Sequence, residues 1–281
     1  MQIARASASH ERITEVLGTE PSLTDTPEGL QDKHTIELGE VEFRDVDFRF
    51  IGGEEDVLHD VTFRASPGET IAVVGATGSA KSSMVQLIPR LYDVSKGQVL
   101  IDGVDVRYYN LDRLHQQVAM VLQKNELFTG TILDNLRWGN PGASFEEVVE
   151  AAKAAEAHGF IESFEKGYET VLGRGGVNVS GGQKQRLCIA RALLRKPKVL
   201  ILDDSTSAVD TETEQRIRQN LQRILKGTTV FIITQRINTM QSADKVIVLD
   251  DGRIESFGRP GELMQSSDIY KEIYNSQQLT V

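Results

Sequence analysis

Residues 73–84 read VVGATGSAKSSM, an apolar strand end followed by glycines, small residues, a lysine and two serines. Gly75 to Ser82 nearly fill the phosphate-binding pattern G-x-x-x-x-G-K-[ST]. In that pattern, backbone N–H groups and a helix N-terminus surround phosphate oxygens. Lys81 is placed to reach terminal phosphates, and the Ser82 hydroxyl is placed to ligate Mg²⁺. Alanine occupies position 80, where the pattern has its second glycine.

Ala80 is not expected to break this loop. It stands just before Lys81 at the start of a helix, where we expect a negative φ, and alanine carries no backbone penalty there. A methyl group then needs only a little space. The residues expected to bind the nucleotide phosphates are therefore Gly75, Ala76, Thr77, Gly78, Ser79, Ala80, Lys81, Ser82 and Ser83.

A second stretch, VLILDD, is an apolar strand that ends in Asp203. A carboxylate at this point is suited to holding Mg²⁺ beside the loop, since Mg²⁺ prefers oxygen ligands and keeps several waters. The two stretches together predict a nucleotide site.

The elements around these residues alternate between strands and helices. Short apolar strands are expected in ETIAVVG, KVLILDD, TTVFIIT and KVIVLDDGRI, with a helix from Lys81 to about Leu91 and another in TETEQRIRQNLQRILKG. Such alternation predicts an α/β core with a parallel sheet. VEFRDVDFRF and VLHDVTFRA alternate apolar and polar residues, as half-buried strands do.

Other segments predict additional layers. Gln2 to Leu17 favours a helix, and the following polar stretch with Pro21 and Pro27 is expected to be a linker. Between about residues 120 and 195 the helix-forming stretches SFEEVVEAAKAAEAHGFIESF and GGQKQRLCIARALLRK predict a helical subdomain inserted into the α/β core.

Charge, cysteine content and hydropathy argue against several classes of protein. A formal net charge of -10 and a pI near 5.1 argue against a general nucleic-acid coat, which needs a basic face. The single cysteine, Cys188, excludes an internal disulfide and is expected to be a buried small hydrophobe. No apolar run approaches the roughly 18–20 residues that span a bilayer, so any membrane connection is expected through a partner or through sequence outside this chain.

NVSGGQKQR, residues 178–186, completes a set of motifs in which the chain resembles the ATP-binding domain of ABC transporters. The resemblance covers essentially residues 41–274. It implies a P-loop NTPase (RecA-like) core with an antiparallel β subdomain and an inserted α-helical subdomain that carries the signature motif VSGGQ. It also implies ATP and Mg²⁺ as cofactors. The residues implied are Gln123 of the Q-loop (catalysis and metal), Ser82 and Asp203 (metal), Phe50 (adenine stacking), Ser180, Gly181, Gly182 and Gln183 (signature), and Asp210 of the D-loop, residues 207–210.

A helix is expected to begin after Ser180, and the exposed N–H groups of its first turn would form a second site that can bind phosphate. In the family, two domains pair head-to-tail, and each ATP lies between one P-loop and the other domain's signature. The segment ASASHERITEVL resembles the stretch after the last transmembrane helix of ABC exporters. We therefore expect residues 1–38 to follow that helix and 39–281 to form the ATP-binding domain. The expected location is the cytoplasmic face of the membrane, and the expected partners are transmembrane domains and a second cassette.

Two positions depart from the family pattern at the chemical step. Asp204 stands where the family usually has glutamate, and its carboxylate is about one C–C bond (~1.5 Å) shorter, a misplacement that can cost ~100-fold in rate. Gln235 stands where a histidine is usual, and an amide cannot carry a proton near pH 7. Arg174 and Gly175 also depart from the usual loop before the signature.

These departures resemble the degenerate subunit of heterodimeric exporters, which binds ATP and hydrolyses it poorly. The intact signature would then complete the site of a different partner subunit. A slow homodimer is the alternative. A soluble ABC-type ATPase of DNA repair or translation, which usually has long coiled-coil insertions or tandem domains, is a further one. So is a stand-alone importer ATPase, which usually starts at the first strand.

Overall fold

The chain folds around β-sheets whose strands come from distant parts of the sequence. The structure is a computed structural model that describes residues 2–31, 34–205 and 208–278. The strands within these ranges are β1 (Val41–Phe48), β2 (Leu58–Ala65), β3 (Thr70–Val74), β4 (Lys96–Ile101), β5 (Val104–Asp105), β6 (Val118–Val121), β7 (Gly130–Thr131), β8 (Val171–Leu172), β9 (Val199–Asp203), β10 (Thr229–Ile233), β11 (Lys245–Asp250) and β12 (Arg253–Gly258).

Six of the described strands form the central sheet, in the order β12-β11-β3-β10-β9-β6. The pairs from β11 to β6 are parallel, which confirms the predicted α/β core. KVIVLDDGRI is not a single strand, however, because Asp251 and Gly252 form a turn between β11 and antiparallel β12. Both residues have positive φ, 41° and 73°, as an Asp-Gly hairpin turn requires.

A four-stranded antiparallel sheet, β2-β1-β4-β5, packs on the central sheet. Val41 and Phe43 of β1 point into the shared core, and so do Val46 and Phe48 after a register shift that interrupts the alternation. Phe43 stacks on Phe63 with ring centroids 4.6 Å apart, and Phe63 contacts Phe231 of β10 edge-on at 6.1 Å. This core joins the two sheets and holds the end of β1 close to the central sheet.

Helices cover the central sheet and link its strands. Those in the described ranges are α1 (Gln2–Leu17), α2 (Pro27–Leu30), α3 (Lys81–Gln86), α4 (Leu111–Gln117), α5 (Ile132–Arg137), α6 (Phe145–Ala154), α7 (His158–Glu162), α8 (Gly181–Leu193), α9 (Thr211–Ile224), α10 (Ile237–Ser242), α11 (Pro260–Ser266) and α12 (Asp268–Gln278).

The predicted helix from Lys81 to about Leu91 is too long, because α3 ends at Gln86. Pro89 explains the difference: proline has no N–H for a helical bond and disfavours helical backbone in the residue before it. The chain continues through tighter turns, with the N–H of Ile88 bonded to the carbonyl of Val85 at 3.2 Å.

Helices α5 to α8 pack together around buried residues such as Leu136, Val148, Ile161 and Leu187. Cys188 on α8 is also buried, as predicted, and burial raises the pKa of its thiol. The predicted boundaries of the helical subdomain, about 120–195, and of residues 1–38 and 39–281 stay predictions.

The predicted linker lies against the folded core and contains the short helix α2. Asp25 accepts a 2.8 Å hydrogen bond from the N–H of Leu111, at the start of α4. Asp102 accepts bonds from the N–H groups of Glu37, Leu38 and Glu40 at 2.8–2.9 Å. None of the helices within residues 2–31, 34–205 and 208–278 combines the length and apolar character that crossing a bilayer requires.

Candidate functional site

The loop between β3 and α3 wraps around a helix start, as the sequence predicts. Gly75 is buried with φ 149°, and a Cβ there would lie 2.1 Å from the carbonyl oxygen of Leu249, so only glycine fits. Gly78 has φ 88° in open space, so its glycine is required by backbone conformation alone. Ala76, Thr77 and Gly78 are exposed, while Ser79 is buried. The middle of the loop is therefore exposed to solvent, while Gly75 and Ser79 on either side of it are buried.

The expectation of a negative φ at Ala80 is wrong. Ala80 is the N-cap of α3 and adopts the left-handed conformation, with φ 69° and ψ 20°. For a residue with a Cβ this conformation costs about 1–2 kcal/mol, because the Cβ approaches the following carbonyl oxygen. The methyl group packs against the core between the sheets, and the Ala80 carbonyl still accepts the first helical bond from the N–H of Met84 at 3.0 Å. The loop therefore keeps its shape at a cost in backbone strain.

Lys81 turns its ammonium group back into the loop. Nζ donates to the carbonyl oxygens of Gly75 and Ala76 at 3.0 and 2.7 Å and lies 3.4 Å from Oγ of Ser79. Burial lowers the pKa of Lys81, and the negative charges of Asp203 and Asp204 act in the opposite direction. The ammonium therefore lies on the loop, in an environment that favours an anionic neighbour.

Ser82 and Asp203 meet at the carboxyl end of the central strands. Oγ of Ser82 donates a 3.1 Å hydrogen bond to Oδ1 of Asp203, which is the last residue of β9. Burial raises the pKa of Asp203, with a further increase from Asp204, while the hydrogen bond from Ser82 and the charge of Lys81 lower it. A buried carboxylate with a neighbouring hydroxyl is an oxygen donor set of the kind Mg²⁺ takes.

Gln123 approaches the carboxylate of Asp204. Its Nε2 lies 3.4 Å from Oδ2 of Asp204, a long hydrogen bond between residues 81 positions apart. Asp204 has φ 45°, a left-handed conformation that aspartate tolerates better than most residues. Its N–H is bonded to the carbonyl of Ile233 at 3.2 Å, which joins it to the end of β10.

Gln235 follows β10 and has an exposed side chain. The next residue, Arg236, pairs with Glu214 on α9, and its Nη2 donates to the carbonyl of Val209 at 2.9 Å. Glu214 is only 5% exposed and also accepts a 3.1 Å bond from the hydroxyl of Thr239. This ion pair connects the segment after Gln235 to α9 and to the loop before Asp210.

These residues surround one open cleft of about 360 Å³. The residues that line it are Val57, Thr77, Gly78, Ala80, Lys81, Ser82, Ser83, Gln123, Asp203, Asp204, Ile233, Thr234 and Gln235. The tertiary structure therefore brings the predicted loop, metal and catalytic residues to one place. The cleft can accept a polyphosphate at the loop and oxygen-ligated cations at its inner end.

Three lining residues, Val57, Ile233 and Thr234, were not predicted from the sequence. Ile233 and Thr234 could have been found, because ligands in α/β sheets bind outside the carboxyl ends of the strands. Val57 precedes β2, and nothing in its local sequence indicates the cleft.

Phe50 lies just beyond the end of β1 and is 38% exposed. In the described part of the chain it does not line the cleft itself. Its ring contacts those of Phe48 and Tyr92, at centroid distances of 4.8 and 5.2 Å. Phe50 is thus a partly exposed aromatic surface backed by other rings.

Ser180 caps the N-terminus of α8. Its Oγ accepts from the N–H of Gln183 at 3.3 Å, and Oε1 of Gln183 accepts from the N–H of Ser180 at 2.9 Å. Ser180 and Gly181 are exposed, and among the described residues they lie outside the lining of the cleft. A Cβ on Gly182 would lie 2.7 Å from the carbonyl oxygen of Ala208, so this glycine allows the next loop to pack closely.

Asp210 caps α9 by accepting a 2.9 Å bond from the N–H of Thr213, which lowers the pKa of its carboxyl group. Oε1 of Gln185, on α8, accepts a 3.0 Å bond from the N–H of Ala208. The D-loop is therefore attached to the signature helix of the same chain. Ser207, the first residue of the predicted D-loop, lies outside the described residues.

Known proteins are similar to this chain over nearly all of its length. The chain is 44% identical over 277 residues to the multidrug export ATP-binding/permease protein YgaD of Bacillus subtilis, covering 99% of this chain and 47% of that protein. It is 39% identical over 281 residues to the ATP-dependent lipid A-core flippase of Haemophilus influenzae, covering 98% and 46%. The chain thus spans about half the length of these curated relatives.

A solved structure of a bacterial Atm1-family ABC exporter with ATP bound superposes with a TM-score of 0.91 at 32% identity, covering 98% of this chain and 48% of that one. The sequence profile described as ABC transporter matches residues 58–207, more than half of the chain. The fold is accordingly that of a P-loop NTPase of the exporter type. The chain belongs to the ABC transporter family and is an ATP-binding cassette of that family.

Proposed function

We propose that this cassette binds Mg-ATP in its cleft, hydrolyses it slowly, and completes with its signature the ATP site of a second, different cassette. The observation that carries the proposal is the pair of residues at the inner end of the cleft. Asp204 and Gln235 both line it, and neither combines the reach and the basicity that activation of a water requires.

Binding is supported by the loop. Its N–H groups and the helix start of α3 suit phosphate oxygens. Lys81 already donates to loop oxygens at 2.7–3.0 Å, and turning the ammonium outward would exchange these for charge-assisted bonds to a phosphate. Phe50 offers a partly exposed ring for the adenine base. The expected nucleotide residues are those of the loop, Gly75 to Ser83, and Phe50.

Mg²⁺ fits the donors at the end of β9. Ser82, Asp203 and the amide oxygen of Gln123 would hold it, directly or through water. The bound ion would neutralise charge on the phosphate oxygens. Asp203 supplies the carboxylate, and Ser82 keeps that carboxylate oriented while the cleft is open.

Slow hydrolysis follows from chemistry at Asp204 and Gln235. A general base must come within about 2.6–3.2 Å of the proton it removes. The side chain of Asp204 is one carbon shorter than that of glutamate, so its carboxylate reaches less far into the cleft. Its Oδ2 also lies 3.4 Å from Nε2 of Gln123. Gln235 can donate a hydrogen bond to a terminal phosphate but is neither a base nor a cation.

The signature serves a partner in this proposal. Ser180 and Gly181 are exposed outside their own cleft, at the start of a 13-residue helix, and a helix start suits phosphate oxygens. The N–H of Ala208, four residues after Asp204 of the cleft, donates to Oε1 of Gln185 on α8, so the D-loop lies against the signature helix. A second cassette placed head-to-tail would receive these groups at its own phosphates.

The rest of the transporter is inferred from the relatives. The YgaD relative is named an ATP-binding/permease protein and is about twice as long as this chain. We infer that transmembrane domains accompany this cassette, that it works at the cytoplasmic face of the membrane, and that ATP turnover drives substrate export. No role in nucleic-acid binding is proposed, consistent with the net charge of -10.

Equilibrium binding and single-turnover hydrolysis test the proposal. The 281-residue chain should bind a fluorescent ATP analogue, and Lys81→Ala should weaken binding strongly because it removes the charge on the loop. In the assembled transporter with the partner's catalytic carboxylate disabled, ATP bound at this cleft should persist through many turnover times of the intact complex. Equal binding by wild type and Lys81→Ala, or rapid hydrolysis at this cleft, would contradict it.

A further inference from the structure

Three aromatic rings join the end of β1 to the segment that follows the phosphate-loop helix. Phe48 is buried at 1% exposure, while Phe50 and Tyr92 are 38% and 37% exposed. Phe50 meets Tyr92 edge-to-face, with centroids 5.2 Å apart and planes at 88°. Phe48 contacts both, at 4.8 Å and 5.6 Å. The ring of Phe50 is therefore supported from two sides and still partly open to solvent.

Backbone hydrogen bonds fasten the two segments beside these rings. The N–H of Ser95 donates to the carbonyl of Asp47 at 2.9 Å, and the N–H of Arg49 donates to Oγ of Ser95 at 2.9 Å. The buried Arg90 guanidinium pairs with Asp93 at 2.8 Å and so fixes the turn that contains Tyr92. The position of Tyr92 relative to β1 is thus set by bonds that do not involve its own side chain.

Tyr92 contacts one side of the Phe50 ring, and Phe48 contacts another. Phe50 is followed by the exposed segment of Ile51, Gly52 and Gly53, and Gly52 has φ 82° in open space. Contacts between aromatic rings at these distances and angles are favourable beyond their area burial. Tyr92 also lies on the same continuous segment as Lys81, through α3 and the turns after it. The contact with Tyr92 therefore connects the Phe50 ring to the segment that follows the phosphate loop.

We propose that Tyr92 is a positioning residue for the nucleotide base: it holds Phe50 at a fixed distance from the phosphate loop, so that base and triphosphate are bound together. This inference rests on the proposed function, in which the cleft binds ATP and Phe50 stacks on adenine. It assigns Tyr92 no contact with the nucleotide.

The test compares two ligands that share a triphosphate and differ in the base. Equilibrium affinities of the 281-residue chain for ATP and for inorganic tripolyphosphate are measured with Mg²⁺ for wild type, Tyr92→Ala, Tyr92→Phe and Phe50→Ala. Tyr92→Ala should weaken ATP binding about two- to tenfold and change tripolyphosphate binding by less than about twofold. Tyr92→Phe should bind ATP as wild type does, since the ring makes the contact.

The outcomes separate this inference from the proposed function. Equal losses for ATP and tripolyphosphate in Tyr92→Ala would show damage to the loop and overturn the positioning role. If Phe50→Ala weakens ATP binding and Tyr92→Ala does not, the positioning role of Tyr92 is also overturned. If Phe50→Ala leaves ATP affinity unchanged, the base surface itself was wrongly assigned, and the inference falls with it. Thermal unfolding of each variant identifies any that do not fold. If Tyr92→Ala does not fold, Tyr92→Leu, which keeps apolar bulk and removes the ring, takes its place with the same expected results.

Discussion

The hydroxyl of Ser82 donates a 3.1 Å hydrogen bond to Oδ1 of Asp203 across 121 positions of sequence. Ser82 is the second residue of α3, which follows β3 and the phosphate loop, and Asp203 is the last residue of β9, two strands from β3 in the central sheet. The bond therefore joins the phosphate-binding part of the cleft to its carboxylate. It also orients the carboxylate toward the place where a hydroxyl, a phosphate and a cation would meet.

Removing this hydroxyl should weaken ATP binding only when Mg²⁺ is present. Ser82→Ala loses a metal ligand and the orienting bond to Asp203, and losses of this kind reduce metal affinity roughly tenfold or more. ATP titrations with Mg²⁺ and with a chelator measure the difference. Ser83→Ala is the matched control: Ser83 lines the same cleft, and the described residues show no bond from it to Asp203, so any loss that it causes should be the same with and without Mg²⁺. An equal loss with and without Mg²⁺ in Ser82→Ala would contradict the role of Ser82.

The left-handed backbone at Ala80 predicts that glycine stabilises the chain. Ala80→Gly should raise the free energy of unfolding by about 0.5–1 kcal/mol, because relief of the strain at φ 69° exceeds the added entropy of the unfolded chain. ATP affinity should change by less than about tenfold. Urea unfolding and ATP titration provide the measurements.

Ala72→Gly is the matched control for this change. Ala72 is fully buried in β3, where glycine should lower the free energy of unfolding by about 0.5–1 kcal/mol or more. If Ala80→Gly lowers the free energy of unfolding as much as Ala72→Gly does, the packing of the Ala80 methyl group matters more than the backbone strain.

A longer carboxylate at position 204 and a basic side chain at position 235 should speed ATP hydrolysis. Asp204→Glu extends the carboxylate by about 1.5 Å toward the water position, and Gln235→His adds a group that titrates near neutral pH. We expect a faster rate from Asp204→Glu, a further increase in the double variant, and non-additive effects, because both groups act on one transition state.

The measurement is single-turnover hydrolysis in the assembled transporter with the partner's catalytic carboxylate disabled. Ala80→Gly is assayed beside the two variants because it changes the loop and leaves the catalytic positions intact. If Ala80→Gly hydrolyses ATP faster than the parent and the double variant does not, the defect lies in the loop.

Ser180→Arg should abolish turnover at the partner's site while leaving ATP binding to this chain unchanged. The exposed start of α8 would carry a bulky cation where N–H groups are expected to meet the partner's phosphates. Steady-state ATPase of the heterodimer and ATP titration of the isolated chain measure the two effects. Ser163→Arg introduces the same side chain at another exposed serine, and it should turn over like the parent. Unchanged turnover in Ser180→Arg would exclude completion of the site in trans.

Apolar runs that alternate with helices were enough to predict the α/β core, because buried parallel strands have continuous apolar sequences. The loop motif with Lys81, together with Asp203 at a strand end, predicted a nucleotide site. Gln123 and Gln235 were assigned only from the resemblance to the ABC family. The errors arose where the local pattern has more than one outcome. Pro89 shortens α3, and the turn at Asp251 and Gly252 divides the last apolar run into two strands.

By itself, the sequence determined which residues stand at strand ends and helix starts, because periodicity, capping and loop motifs are local properties of the chain. Only the tertiary structure decided the left-handed backbone of Ala80, the approach of Gln123 to Asp204, and the contact of Phe50 with Tyr92. Each depends on how segments far apart in sequence pack against one another. Ala80 joins the phosphate loop to the first turn of α3, and no local preference of alanine predicts its left-handed backbone.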